Sequence, residues 1–291
     1  MRIVVTGSSG FVGSVVCKKL GVKRAERYDL TEGDDLLNPA TLSDASKADV
    51  IIHLAAIAGI KQCQDDPEKA RAINTDVTLQ LAKEAKAAGT RRFIFASSSA
   101  VYGEAQEFRM EETHPTEPRS VYGQTKLDAE KILDLASKTF EVIIIRKSNL
   151  YGYGLTYKGI TVLDKFIDGF LSKTPFSITG SGGQRRDFLH VIDAAGLYCK
   201  LAQAKKVRSG VYNLGGGENP SIRELAEQVN EIGEAIFGYR VGITNTPSTN
   251  EAIWHDFLYD YKKAEAQFQF KPVFTLDDVI KERLLIGLRT Q

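Results

Sequence analysis

Tyr122 and Lys126 stand four residues apart, and a run of three hydroxyls, Ser97-Ser98-Ser99, lies upstream of them. A four-residue step puts both side chains on one face of a helix. A free phenol has a pKa of about 10 and is a poor base at neutral pH. An adjacent ammonium, joined by the positive charge of an oxidised nicotinamide, favours the phenolate. Such a tyrosine can take a hydroxyl proton while hydride leaves the same carbon for the cofactor. A nearby serine can relay the proton or hold the developing oxyanion. The spacing by itself is not distinctive, because among 11 tyrosines a second pair, Tyr259/Lys263, also occurs. The first pair is set apart by its context, a helical stretch at 120–138 following a strand whose end carries the serines. The second lies in a loose tail without a hydroxyl cluster and is assigned to the surface.

A second pattern, Thr6-Gly7-Ser8-Ser9-Gly10-Phe11-Val12-Gly13, closes the first strand and opens a helix. Glycines at this spacing allow a tight turn, close approach of backbone to phosphate, and close packing of helix on strand. The helix start then presents N–H groups and a positive dipole end to a pyrophosphate. Asp29 ends the second strand, where a carboxylate accepts from the adenosine ribose hydroxyls and repels a 2′-phosphate. This favours NAD over NADP. A bare βα turn, with Asp29 as a helix N-cap, is the plain alternative.

These groups need strands that end together. Ile3–Thr6 and the runs 50–54, 93–96 and 142–145 are short and rich in branched residues, as buried strands are. Between them lie helical patterns such as Val12, Val15, Val16, Leu20 and Val77, Leu81, Ala85, Ala88. Alternating strand and helix predicts the α/β class, a doubly wound parallel sheet of Rossmann type that binds ligands beyond the carboxyl ends of its strands. After residue 150, glycines at 152, 154, 159, 180, 182 and 183 break the chain into loops around a helix at Val162–Leu171. Order returns at 188–191, in a helix at 194–202, a strand at Gly210–Leu214, and helices at 222–236 and 276–288. The expected division is an NAD-binding domain from residues 1–150 plus about 186–215. A smaller, interleaved C-terminal substrate lobe would comprise about 151–185 and 216–291.

Composition narrows the field. With 43% hydrophobic and 26% charged residues and only 8 prolines, the 291-residue chain is neither disordered, collagenous nor coiled coil. Its 38 basic and 37 acidic residues give no electrostatic reason to expect nucleic acid or an anionic membrane as partner. Cys17, Cys63 and Cys199 match neither a disulfide framework nor a CxxC pair, and His53, His114, His190 and His255 are scattered, so no metal site is expected. No apolar run approaches the roughly 18 residues of a membrane span. The opening MRIVVTGSSG enters a strand directly. A cytoplasmic protein is expected.

TGSSGFVG, HLAAIAG, SSSAVYG, YGQTK, NLYG and RRDFLHVID, in this order, resemble the extended short-chain dehydrogenase/reductase family. The resemblance is closest to its NAD-dependent epimerase/dehydratase group, which acts on nucleotide sugars and includes the UDP-hexose 4-epimerases. It covers nearly the whole chain. It implies Tyr122 as catalytic base, Lys126 as the residue that fixes the ribose and lowers the phenol pKa, and Ser98 as the catalytic hydroxyl. Gly7, Gly10, Phe11, Val12, Gly13 and Asp29 would hold the cofactor, with Asp35 and Leu36 receiving the adenine. Leu54, Ala55 and Ala56 would line its phosphate and ribose side, with Asn74 nearby. Ser98, Ser99 and Tyr122 would meet the sugar, and Asn149 and Arg186 the substrate diphosphate, for which an arginine fork is suited. The resemblance also implies a homodimer formed by helices at 79–88 and 127–135.

The departures from the family pattern carry information. Ala100 stands where dehydratases and decarboxylases of the group carry an acid, which favours epimerisation. The second diphosphate-binding arginine is not evident, and 246–251 stands where it belongs. Lys147 puts an uncommon charge at a position that usually borders the nicotinamide. His190 reads as a structural histidine, and Trp254 as part of the pocket or a core cap. The expected function is NAD-dependent 4-epimerisation of a UDP-hexose through a transient 4-keto sugar. An NAD(P)-dependent sugar or small-alcohol dehydrogenase/reductase, or a nucleotide-sugar dehydratase, is the alternative. A non-catalytic cofactor sensor has no use for the intact Tyr122, Lys126 and Ser98.

Overall fold

Ile3-Val4-Val5, Val50-Ile51-Ile52 and Val142-Ile143-Ile144-Ile145 are apolar at consecutive positions, so each strand they form needs cover on both faces. The computed structural model describes all residues except 22, 138–139, 153–160, 248–257 and 291. It builds the covered sheet from β1 (Ile3–Thr6), β2 (Ala25–Tyr28), β3 (Val50–His53), β4 (Arg92–Ser98), β6 (Glu141–Lys147) and β10 (Gly210–Leu214). All six strands are parallel, in the order β10-β6-β4-β3-β1-β2. The expected doubly wound α/β sheet is therefore present. The order reverses between β1 and β3, and a sheet of this kind opens its ligand crevice at that point.

Alternate residues of each strand serve opposite faces. Ile3, Val5, Ile52, Ile94, Ile143 and Ile145 pack in one core cluster, beneath α1 (Phe11–Leu20) and α8 (Val191–Gln203). Val4, Ile51, Phe93, Phe95, Val142 and Ile144 pack in another, with α2 (Pro39–Ser46), α5 (Val77–Ala87) and α6 (Val121–Ala136). Short helices α3 (Ile60–Asp65) and α4 (Pro67–Arg71) and one π-helical turn, Ala72–Asp76, lead into α5.

A third cluster gathers α7 (Val162–Leu171), α9 (Ile222–Phe237) and α11 (Leu276–Thr290). Capping boxes at Thr161/Asp164 and Ser221/Glu224 fix the starts of α7 and α9. Three two-stranded pairs complete the chain: β5 (Arg109–Met110) with β12 (Leu258–Tyr259), β7 (Asn149–Tyr151) with β9 (Phe188–His190), and β8 (Phe176–Thr179) with β11 (Ile243–Thr246).

Two placements differ from expectation. Tyr259, assigned to the surface, is 1% exposed. It lies in a strand rather than a helix, so Lys263 does not share its face, and its hydroxyl donates to the Arg146 carbonyl at 2.8 Å. The next segment, α10 (Lys262–Phe268), packs Ala264 and Phe268 into the first sheet-face cluster, not into the second lobe. Among the described residues, no helix is long and apolar enough to cross a membrane.

Glu130 on α6 and Arg146 on β6 form an ion pair at 2.7 Å with side chains 4% and 7% exposed. Ser97 also donates to Glu130, and Arg146 lies 4.7 Å over the Tyr102 ring. Removing one partner of a buried pair leaves the other uncompensated and costs about 3–5 kcal/mol. Glu130→Ala is therefore expected to lower the unfolding free energy in urea by about 3 kcal/mol or more, and adding Arg146→Met should recover part of it. A loss below about 1 kcal/mol would show that the pair behaves as an exposed one.

Candidate active site

β1 leads straight into the glycine turn. Gly7 has φ +68°, and a Cβ there would stand 2.6 Å from the Ala55 nitrogen. A Cβ on Gly13 would stand 2.0 Å from the Gly7 carbonyl oxygen. The turn, the start of α1 and the end of β3 therefore touch through backbone alone. Gly10 caps α1 without a side chain, and the first turn, with Phe11, Val12 and Gly13, contains no acid. Its positive end is thus available to an anion. The Ser8 hydroxyl in this turn is buried and has no partner among the described residues.

Asp29 stands beside the turn and accepts from the Ser9 amide at 2.8 Å. It also caps the 3-10 turn Leu30–Glu32, accepting from the Thr31 amide at 3.0 Å. Burial works against its charge, but these donors outweigh burial and hold its pKa below the usual value. It is thus both the N-cap and the acid beside the glycine turn. Leu54, Ala55 and Ala56 follow β3, half-buried. Asn74 does not point outward from this region. Its amide brackets Ile57, accepting at 2.9 Å and donating at 3.1 Å, and donates to Thr125 at 3.0 Å. Any influence on a ligand passes through the 54–57 loop. Asp35 is exposed and accepts from the Leu37 amide, while Leu36 leans on the sheet-face core. The turn, its uncapped helix and Asp29 fit a dinucleotide.

Ser98, Tyr122 and Lys126 come together near the end of β4. Ser98 caps the 3-10 turn Ser99–Val101, accepting from the Ala100 amide at 3.2 Å. A Cβ on Gly123 would come within 2.5 Å of the Ala100 oxygen, so α6 lies directly on this turn. That approach brings the Tyr122 phenol beside Ser98 in one cleft wall. Burial pushes the phenol up to about 12, with Ser98 acting the other way. Lys126 donates to the Ala96 carbonyl at 2.9 Å and lies 4.7 Å over Phe95. Burial, then the charge of Lys147, brings it down to about 7.

A cleft of about 660 Å³ joins Ser98, Ser99, Tyr122, Lys147, Asn149 and Arg186. Arg185 and Arg186 both border the cleft, and Arg185 grips Glu224 with contacts of 2.8 and 2.9 Å. Asp187, raised to about 6 by burial, accepts from the Gly216 and Gly217 amides rather than from either arginine. Asn149 donates to the Asp187 carbonyl at 3.1 Å. Ala100 lies in the wall. Glu104 and Asp187 are the carboxylates among the described wall residues, and Glu104 pairs with Arg119. Tyr259, Met110 and Arg119 also line the cleft. Sequence reasoning missed all three: Met110 and Tyr259 lie on the two-residue strands β5 and β12, which leave no periodic signal, and Arg119 lies in the irregular stretch before α6. His190 is structural: it caps α8 and stacks on Phe274 at 4.2 Å. Trp254, and most of the 246–251 stretch where a second arginine was sought, fall outside the described residues.

The profile of the NAD dependent epimerase/dehydratase family matches residues 3–215. A UDP-glucose 4-epimerase of Mycolicibacterium smegmatis is 30% identical over 77% of this chain and 80% of its own. A dTDP-D-glucose 4,6-dehydratase of Mus musculus is 27% identical over 93% of this chain and 81% of its own. The crystal structure of a UDP-glucuronic acid 4-epimerase from Bacillus cereus, in complex with UDP-glucuronic acid and NAD, superposes with a TM-score of 0.84 at 27% identity, covering 100% of both chains.

Gly13→Ala tests the turn. The added methyl must displace the Gly7 carbonyl, at a cost of about 1–3 kcal/mol. The expected result is a folded protein whose melting temperature no longer rises with NAD. An undiminished rise would show that the dinucleotide does not use this turn.

Proposed function

We propose, from the premise that the chain belongs to the NAD-dependent epimerase/dehydratase family, that this NAD-dependent enzyme is a 4-epimerase of UDP-linked hexoses. The observation that carries the reading is Tyr122 and Ser98 together in the cleft wall with Ala100 between their elements. It supplies one proton-transferring pair, with Ala100 rather than an acid beside it, while the wall carboxylates Glu104 and Asp187 are held by Arg119 and by the Gly216 and Gly217 amides. Dehydration must also remove the C5 proton and protonate a leaving hydroxyl, which calls for a further acid–base group. Epimerisation needs only removal and return at C4.

In this mechanism Gly7, Gly10, Phe11, Val12, Gly13 and Asp29 hold the dinucleotide, with Asp35, Leu36 and the Leu54-Ala55-Ala56 edge around it. NAD, when bound, supplies the hydride acceptor and, as the reduced cofactor, the hydride donor. Tyr122 accepts the 4-hydroxyl proton, and Ser98 and Ser99 hold the oxygen as it becomes a carbonyl. Lys126 contributes positive charge that favours the phenolate once it faces the ribose. Arg186 and Asn149 would retain the diphosphate while the 4-keto ring turns over, so that hydride from the reduced cofactor would meet the other face of C4 as Tyr122 returns its proton to the oxygen.

Residues 1–150 with about 186–215 would hold NAD. About 151–185 and 216–291, apart from the 258–270 stretch, would hold the nucleotide sugar. The same reading makes the protein a cytoplasmic homodimer joined through α5 and α6, and its buried, unbridged Cys17, Cys63 and Cys199 suit a reducing compartment.

The test is to release and identify cofactor from purified protein, then incubate the protein with UDP-glucose, UDP-galactose and their uronates. Interconversion of a 4-epimeric pair without net change in nicotinamide absorbance is expected, and steady accumulation of NADH would replace the reading with a dehydrogenase. Tyr122→Phe should cut turnover by about 100-fold or more while NAD still raises the melting temperature. Turnover within a few-fold of the parent would remove Tyr122 from the reaction.

A further inference from the structure

Lys147 is the last residue of β6 and lies directly across from Ser98 on β4. Its ammonium donates to the Ser97 carbonyl at 2.8 Å and borders the cleft with Tyr122 and Ser98. No carboxylate pairs with it among the described residues, and burial lowers its pKa to about 8. Its neighbour Lys126 is lowered in part by Lys147 itself. The nearby anions are engaged elsewhere: Glu130 by Arg146 and Ser97, Asp187 by the Gly216 and Gly217 amides, and Glu104 by Arg119. The Lys147 ammonium therefore borders the cleft close enough to act on Lys126, with no carboxylate paired to it among the described residues.

A desolvated cation without a counter-ion is costly. Lys126 has a part in the proton transfer proposed above, whereas Lys147 has none. Its position narrows what its anion can be. The dinucleotide turn follows β1, three strand spacings from β6 in the sheet, or about 14 Å. Arg186 and Asn149, the diphosphate holders, lie past the end of β6, where β7 runs away to pair with β9. Lys147 instead stands level with Ser98 and shares a cleft wall with Tyr122, the end at which the reading above puts the reacting ring.

We propose that Lys147 receives a carboxylate carried on the sugar ring, so that the preferred substrate class is a nucleotide-linked hexuronate. This rests on the nucleotide-sugar reading above. In a hexuronate the carboxylate is attached at C5, next to the reacting C4, and it is the one ring substituent that brings a full negative charge to that end of the cleft. Pairing would supply the missing counter-ion and relieve the repulsion between Lys147 and Lys126.

The test is calorimetric titration of the NAD-loaded protein with UDP, UDP-glucose and UDP-glucuronate, for the parent and for Lys147→Met. The parent is expected to bind UDP-glucuronate roughly 30-fold more tightly than UDP-glucose. Lys147→Met should close that gap and leave UDP and UDP-glucose within a few-fold of the parent. Equal binding of the two sugars by the parent would overturn the assignment while leaving the epimerase reading intact. So would an equal loss for UDP in the variant, since Lys147 would then be reading the diphosphate. Failure of the parent to bind UDP at all would remove the nucleotide-sugar reading and this assignment together. Should Lys147→Met not fold, the parent's own preference and Lys147→Gln decide the matter.

Discussion

The Glu130 carboxylate is the joint on which the site depends. It sits on α6, the helix that carries Tyr122 and Lys126, and it accepts from Ser97 on β4 and from Arg146 on β6. Each of those two partners is the immediate neighbour of a cleft residue, Ser98 or Lys147. A single buried charge thus fixes the helix bearing Tyr122 against both strands that face it. A buried pair adds little net stability compared with an apolar replacement, but it tolerates only one arrangement of its partners. That is the property needed where a phenol must stay within hydrogen-bond reach of a serine.

The charges around this joint are unequal. Arg146 is matched by Glu130, but Lys126 and Lys147 are held by carbonyl oxygens of consecutive residues, Ala96 and Ser97. Carbonyls orient an ammonium without neutralising it, so both amines lose basicity through burial and Lys126 also through its neighbour. The phenol is pushed the other way, up to about 12. Buried cations and a buried neutral phenol shift in opposite senses for one reason, since desolvation penalises whichever form is charged. The cleft is prepared for anions and for a phenol whose proton is given up only when positive charge arrives beside it.

Much of this was legible in the sequence, because the parts that can be read are local. Continuous branched runs marked β1, β3, β4 and β6. The strand at Gly210–Leu214 and the helix at Val162–Leu171 have the bounds their turn residues suggested. The glycine turn, the serine run and Tyr122/Lys126 are contiguous motifs at strand ends. What could not be read depends on pairing between distant residues. Tyr259 looked like surface because its strand has two residues and gains its identity from Arg109–Met110. The pairing of Arg185 is decided by Glu224, and the placement of Asn74 by Ile57. The packing of Ala264 and Phe268 on the sheet is likewise set by tertiary contact. Lys147 was visible as an odd charge, but its lack of a counter-ion appears only when every nearby carboxylate has been traced to another partner.

A ring that must present both faces to one hydride site cannot be gripped rigidly around its edge. The firm attachments have to lie outside the ring, which suits Arg186 and Asn149 beyond the end of β6. A contact at the ring itself must follow a moving partner. Arginine would resist this, since its planar fork holds a carboxylate in one plane. Lysine suits it, because its charge is compact, its donors rotate, and its long stem pivots while keeping the pairing. The residue type at 147 is therefore compatible with turnover of the sugar, and the carbonyl of Ser97 offers its ammonium a resting partner between the two orientations.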